Sequence, residues 1–274
     1  MPCSSYDPLQ NAQRSGYTRL GFAERYDAYR PRPPEALLEA LLQVAQTPCP
    51  TLVVDLGSGT GLSSAVWLPR ARQVVGIEPL AAMRQQALAS YHAPQLHFQD
   101  GSAQQTALPT ASADIVTCSQ SLHWMEPEST LAEVARLLRP GGVFAAYDYD
   151  LPPTIHWEAE HAFLTFLARI RQLRSAYAVP PGIEEWAKHD HLERLRASGH
   201  FRYVKELLFH HREPCTAERF VGFALTLREV MSVLDLGVEE AETGLRQFRE
   251  VVDQALGTGE LPWYVSYRVR VGVK

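Results

Sequence analysis

Two hydrophobic rhythms alternate along this chain. Short apolar runs bounded by turn residues read as strands: Leu52 to Leu56, Gln73 to Pro79, Gln95 to Gln99 and Ser112 to Gln120. A fifth run leads to Tyr149, a sixth spans Phe201 to Pro214, and PWYVSYRVRVGVK alternates as a last strand. Between them, apolar residues recur three and four apart, as in helices. Leu37, Leu38, Leu41, Leu42 and Ala45 share one face, with Pro33 and Pro34 suited to the helix start. Met83, Ala87 and Tyr91 mark a second helix, and Leu131, Val134, Leu137 and Leu138 a third. A fourth helix runs from Trp157 to about Tyr177, and Pro180-Pro181-Gly182 separates it from another over Ile183 to Ala197. Thr216 to about Arg228 and Glu239 to Leu256 complete the set. Strand and helix in regular alternation predict an α/β fold, a doubly wound sheet with helices on both faces.

The sharpest local signal is LVVDLGSGTGLSS, Leu52 to Ser64. An apolar strand reaches Asp55, then glycines stand at 57, 59 and 61, then residues that can open a helix follow. Such a turn brings backbone close to a ligand and points unpaired helix amides at an anionic group. A nucleotide-like ligand is therefore expected. The dinucleotide fingerprint needs a further glycine where Leu62 or Ser64 stands, and a phosphate-binding loop needs a Gly-Lys pair that is missing. Glu78, at the end of the next strand, sits where a carboxylate accepts from both ribose hydroxyls. The crevice beyond the first and fourth strands collects Ser119, Gln120, Ser121, His123 and Trp124.

Hydrophobic-Asp-x-Gly-x-Gly-x-Gly, followed by Glu78 and later by Leu138-Arg139-Pro140-Gly141-Gly142, resembles the class I S-adenosylmethionine-dependent methyltransferases. Tyr26-x-x-x-Arg30-Pro31 and Gln120-x-x-His123-Trp124 resemble the small-molecule branch related to trans-aconitate methyltransferase. The resemblance implies a Rossmann-like doubly wound seven-stranded sheet in the order 3-2-1-4-5-7-6, the last strand antiparallel, with helical insertions forming a cap. It implies four segments: a lid over 1–33, the cofactor core over 34–150, a cap over 151–198 and a C-terminal strand pair with inserted helices over 199–274. It implies S-adenosyl-L-methionine as cofactor. Asp55, Gly57, Ser58, Gly59 and Gly61 would take the methionyl end and Glu78, Pro79 and Leu80 the ribose and the adenine face. Asp100, Gly101, Ser102 and Ala103 would hold the adenine edge, and Ser119 and Gln120 would flank the methionyl group. Tyr26, Tyr29, Arg30, His123, Trp124 and Tyr149 would meet the acceptor.

Where base-methylating relatives carry Asn/Asp-Pro-Pro-Tyr/Phe, this chain reads Ser119-Gln120-Ser121-Leu122-His123-Trp124, which directs attention to an oxygen acceptor, carboxylate or hydroxyl. His123 has the side chain suited to general-base work, and with a carboxylate acceptor it would only orient the substrate. Two rival readings are a silent cofactor-binding module and a non-methylating enzyme using the same cofactor.

Composition narrows the partners. With 274 residues, 46% of them hydrophobic, the chain can bury a large core. A net charge of -5 and no run of Lys and Arg argue against a nucleic-acid substrate, leaving a small-molecule acceptor and a monomer or homodimer. Cys3, Cys49, Cys118 and Cys215 are far apart and the paired histidines lack a third ligand at metal spacing, so no metal is expected. Neither a leader pattern nor a long apolar run is visible, and the expectation is a cytoplasmic protein without a membrane span.

Overall fold

The computed structural model describes residues 6–14, 17, 21–179 and 185–274. Three helices, α1 (Pro8–Gln13), α2 (Phe22–Tyr29) and α3 (Glu35–Val44), precede the sheet. Strand and helix then alternate as β1 (Leu52–Leu56), α4 (Leu62–Ala65), β2 (Gln73–Ile77), α5 (Ala81–Ser90), β3 (Leu96–Gln99), β4 (Ala113–Ser119), α6 (Pro127–Leu137) and β5 (Leu138–Tyr149). After these come α7 (Trp157–Ala176), α8 (His191–Ala197), β6 (Tyr203–Cys215), α9 (Ala217–Ala224), α10 (Arg228–Leu234), α11 (Glu239–Leu256) and β7 (Leu261–Val273).

The seven strands form one sheet in the order β3-β2-β1-β4-β5-β7-β6. β1 to β5 are parallel, and β7 runs antiparallel between β5 and β6, as the resemblance implied. Strand order reverses between β1 and β4, so the loops beyond their carboxyl ends diverge and leave a crevice. Both faces are covered. Val53, Val74, Ile115 and Val143 pack one face beneath α3, α7, α9 and α11, while Val54, Leu56, Val116 and Phe144 pack the other against α6 and Leu195 of α8. Among the described residues no helix is long and apolar enough to cross a membrane.

The helix after the glycine turn is short, ending at Ala65 and giving way to turns. Two expected elements differ. The expected Thr216–Arg228 helix is two helices, α9 and α10, because Thr226 between them is spent on other bonds: its Oγ1 donates to Phe223 O at 2.6 Å and accepts from Arg30 Nε at 2.7 Å. The described part of the expected Ile183–Ala197 helix is a single tight turn at Lys188–Asp190 leading into α8. Its upstream backbone is diverted, since Trp186 N donates to His123 O at 2.9 Å. Pro180-Pro181-Gly182 and Ile183 lie outside the described residues.

The inserted helices are bound into the core rather than laid over it. Phe163 and Phe166 of α7, Phe220 and Phe223 of α9, and Phe248 of α11 form one aromatic cluster, with Phe166 stacked on Phe248 at 5.1 Å between ring centres. Phe163 is fully buried. Truncating Phe163→Ala should cost about 3–5 kcal/mol of global stability, measured by urea unfolding, because the cavity it leaves is walled by other rings that cannot collapse. A loss confined to a minor early transition would show that α7 and α11 form a separate, weakly attached unit.

Candidate active site

Asp55 sets the geometry at the end of β1. Its carboxylate is fully buried and accepts from Ser63 Oγ (2.6 Å), Ser64 Oγ (2.7 Å) and Thr117 Oγ1 (2.8 Å). Burial pushes its pKa up, and the three hydroxyl bonds oppose that shift. All its acceptor capacity faces inward, so Asp55 positions the turn and does not line the cavity, unlike the direct contact implied above. Gly57 and Gly61 hold φ of +66° and +86°. A Cβ on Gly57 would stand 2.8 Å from Met125 Cε and from Ser121 Cβ, so only glycine leaves the space between β1 and β4 open. A Cβ on Gly61 would strike the Phe98 ring at 2.6 Å, so this glycine serves helix packing rather than the cavity wall.

The cavity beside this turn is lined by Gly57, Gly59, Glu78, Pro79 and Leu80 on one side and by Ser102, Ala103, Ser119 and Gln120 on the other. Glu78 is buried, with Oε2 accepting from Gly59 N at 3.0 Å and Oε1 from Leu80 N at 2.9 Å. Burial raises its pKa to about 7 against those backbone bonds and the Arg84 guanidinium. Leu80 and Met83 pack with Phe22 as an apolar wall. Part of the N-terminal segment closes the opening: Tyr6 OH and Asn11 Nδ2 both donate to Trp124 O, at 2.7 and 3.0 Å. Gln120 Nε2 is buried there without a protein partner, and Ser58 Oγ, equally unpartnered, lies in a small adjoining cavity that shares Gly57, Gly59 and Gln120. Gln120 also holds φ of +53°, a conformation costly for a side-chain-bearing residue and common where a ligand is gripped.

Four residues singled out from sequence lie elsewhere. Asp100 is 74% exposed and pairs with Arg84 at 2.9 Å, and Gly101 packs on Ile77 outside the cavity. Tyr29 turns away towards α9, where its ring covers Gly222 and its hydroxyl donates to Glu218 at 3.1 Å. Gly61, as above, meets Phe98.

A second cavity, about 280 Å³, adjoins the first. Tyr26 and Gln120 border both, so the two share a wall. His123, Trp124 and Tyr149 line it as expected, and so does Arg30. The buried Arg30 guanidinium donates to Thr226 Oγ1 and, at 2.8 Å, to Thr226 O, and it bonds the Tyr149 hydroxyl. Further cations come from the insertions: Arg171 and Arg174 of α7, Lys188, and Arg228 of α10. Lys188 Nζ lies 3.1 Å from Gln120 Oε1 and 3.0 Å from Asp148 Oδ1, whose other oxygen accepts from Arg270 at 3.0 Å. His123 Nδ1 is 3.6 Å from Asp148 Oδ1. Burial, then the charges of Lys188, His191, Arg30 and Arg228, hold the His123 pKa well below its usual value, so the ring is neutral near pH 7. These insertion cations were not identified from sequence. Arg171 and Arg174 at i and i+3, on one face of the helix, are the signal that could have found them.

Residues 54–146 match the family model described as a methyltransferase domain, the stretch that builds the glycine turn, Glu78 and the β4 end. Residues 54–146 are a methyltransferase domain of the class I S-adenosylmethionine-dependent kind. The uncharacterized methyltransferase Rv3342 of Mycobacterium tuberculosis is 35% identical over 126 residues, 45% of this chain and 49% of that protein. The chain thus spans about half the length of the curated relatives it matches. A solved structure described as a type II methyltransferase from Anaeromyxobacter dehalogenans is 27% identical, with a TM-score of 0.65 over 90% of this chain and 98% of that one. YcgJ of Bacillus subtilis shares the fold, with a TM-score of 0.54 at 18% identity over 88% of this chain and 99% of that one. S-adenosylmethionine is the cofactor of such domains, and the first cavity fits it: a cradle only glycine permits, a buried carboxylate at the β2 end, and donors left unpaired.

Glu78 gives the methyltransferase domain a pH signature. A carboxyl whose folded pKa of about 7 exceeds its unfolded value binds its proton more tightly when folded. Its stabilising contribution is full below the unfolded pKa of about 4.5 and is lost as pH rises to about 7. The melting temperature of the ligand-free protein minus that of Glu78→Gln should therefore fall between pH 4.5 and 7.5. A constant difference across that range would show that the carboxyl titrates normally.

Proposed function

We propose that this protein transfers the methyl group of S-adenosylmethionine to a carboxylate oxygen of a small anionic acceptor. The observation that carries this reading is the charge of the second cavity. Five cations line it, Arg30, Arg171, Arg174, Lys188 and Arg228, against two carboxylates, Glu185 and Glu229. Several of these are already paired, Arg171 with Glu229 at 3.1 Å and Arg228 with Glu185 at 3.6 Å. The balance nevertheless favours an anion, and low local dielectric strengthens that preference.

The same charges favour carboxylate over hydroxyl. A hydroxyl acceptor needs a base with a pKa near the working pH, and His123 is held well below that by burial and by neighbouring cations. A carboxylate is already a nucleophile. The neutral His123 then orients one acceptor oxygen, while Lys188 and Arg30 hold the charge.

When bound, the cofactor supplies an electrophilic methyl on sulfur. Glu78 would accept from the ribose hydroxyls, Leu80 and Met83 would cover the adenine face, and Ser102 and Ala103 would meet its edge. Ser58 and Gln120, whose buried polar atoms lack protein partners, would meet the methionyl group. Gln120 and Tyr26, at the wall shared by both cavities, would set the line between sulfur and acceptor oxygen. The segment over residues 1–33 would act as the lid that excludes water, and the helices from both insertions would form the acceptor cap.

A panel of small carboxylic acids, phenols and amines, scored for S-adenosylhomocysteine release, tests the assignment. Turnover should be confined to carboxylic acids, and Lys188→Ala should raise KM for the acceptor by about tenfold or more with a smaller change in kcat, because a charge-assisted contact of about 1.5–3 kcal/mol is lost. Preferred turnover of a phenol or amine would overturn the carboxylate assignment. Tight cofactor binding with no product from any acceptor class would favour a silent binding module.

A further inference from the structure

The sheet ends in an unusually long edge. Among the described residues β6 pairs only with β7, over thirteen residues from Tyr203 to Cys215, and no described strand lies on its other side. On the β5 side, Asp150 N donates to Ser266 O and Lys274 N to Gly142 O, so the even residues of this last segment direct their backbone groups towards β5. The odd residues of β7 then face β6, where Val271, Val269, Tyr267 and Val265 stand opposite Lys205, Leu207, Phe209 and His211. By the same alternation, the N–H and C=O groups of Glu206, Leu208, His210 and Arg212 point outward. A long edge of this kind is a template for another strand, and chains that avoid such pairing place repelling charges or proline along it.

The charges here do the reverse when the edge meets a second copy of itself. The run Lys205-Glu206-Leu207-Leu208-Phe209-His210-His211-Arg212-Glu213 is close to a charge palindrome about Phe209. An antiparallel two-fold pairing centred there sets Lys205 opposite the copy's Glu213 and Glu206 opposite its Arg212. Leu208 faces His210, and the two Phe209 residues face each other. Centring the axis one residue earlier opposes Lys205 to His211 and Val204 to Arg212, and one residue later opposes Leu207 to Glu213 and Leu208 to Arg212. Only the Phe209 register pairs every charge with its opposite. Lys205, Leu208 and Arg212 are exposed, Leu208 at 54%, so the centre is apolar and the flanks charged. Pro214 removes an outward N–H only beyond this run, where Arg219 already bonds the Pro214 carbonyl at 2.6 Å.

We propose that β6 is a homodimer interface, in which two copies join edge to edge through an antiparallel β6–β6 pair centred on Phe209, extending two seven-stranded sheets into one. The symmetric pair exchanges backbone bonds at Glu206 with Arg212 and at Leu208 with His210; Glu206 keeps its bonds to Arg268 and Arg270 and Glu213 its bonds to His211 and Arg219, and the copy's Arg212 and Lys205 join these networks to fix the register. The β1–β4 crevice lies in the middle of the sheet, with β5 and β7 between β4 and this edge, so both copies keep an open site.

Sedimentation equilibrium of the full chain, up to about 100 μM to capture a weak pair, should show a monomer–dimer equilibrium. Arg212→Glu, which opposes two glutamates twice per dimer, should weaken it at least tenfold while leaving the circular dichroism and melting temperature unchanged. The register is tested separately by cysteine pairing in a Cys3→Ser, Cys49→Ser background. At a hydrogen-bonded pair Cα atoms lie about 5.5 Å apart, within disulfide reach. Leu208→Cys mixed with His210→Cys should therefore form an intermolecular disulfide under mild oxidation, and Leu208→Cys alone should not. A wild-type chain that stays monomeric, a dimer indifferent to Arg212→Glu, or a mixture that fails to cross-link would each overturn the proposal.

Discussion

The buried carboxylate of Asp55 is the constraint on which the site depends. Three hydroxyls converge on it, two from the start of α4 and one from the middle of β4, so one side chain binds the turn after β1 to the strand across the switch point. A buried carboxylate is costly unless its acceptor positions are filled, and here protein hydroxyls fill them. Two results follow. The glycine turn is fixed in the one orientation that leaves Gly57 against Ser121 and Met125, and the Asp55 carboxylate stays inside the core. The carboxylate that lines the cavity is Glu78, one strand over, held by two backbone amides in a pocket dry enough to raise its pKa to about 7. One carboxylate builds the cavity, and the next lines it.

The second cavity rests on a different balance. Its wall is shared through Gln120, whose amide oxygen meets Lys188 and whose amide nitrogen is left buried and unpaired. Behind it, Asp148 sits between Lys188 and Arg270, with His123 at 3.6 Å. Asp148 neutralises part of the positive charge from inside the core without entering the cavity. That arrangement keeps Lys188 extended towards Gln120, while burial and the neighbouring cations keep His123 neutral. A site tuned for proton removal would place the carboxylate on the histidine and the cations elsewhere.

How far the sequence could be read follows from the range of each interaction. The glycine turn, Glu78 and the β4 end were legible because their conformations are set by neighbours within a few residues, and sheet order then places them together. Asp100 was misread because a turn position gives no direction for its side chain, and Arg84 on α5 draws it to the surface. Tyr29 sits one helical residue from Arg30, yet helix phase sends the two apart, Tyr29 to Gly222 of α9 and Arg30 to Thr226. The cation-lined cavity was invisible for a related reason. It gathers Arg30, Arg171, Lys188 and Arg228 from four distant segments, and only the packing of inserted helices brings them together. The break between α9 and α10 has the same cause, since the bonds that open it come from Arg30 across the fold.

Arg30 ties the N-terminal segment to the end of β5 and to the second insertion. Its guanidinium is buried, held by the Tyr149 hydroxyl at the end of β5 and by Thr226 of the second insertion, with the Tyr26 ring 4.7 Å away. All of these partners are neutral, so its charge is offset by geometry and by rings rather than by a carboxylate. The aromatic cluster of α7, α9 and α11 gives these helices a rigid base, and Arg171, Arg174 and Arg228 project from the inserted helices into the cavity. The N-terminal segment reaches the same point through α2. On the proposed carboxylate reading, an anion entering the second cavity would relieve the uncompensated charge at the junction of the three segments, and acceptor charge, more than acceptor shape, would set the preference.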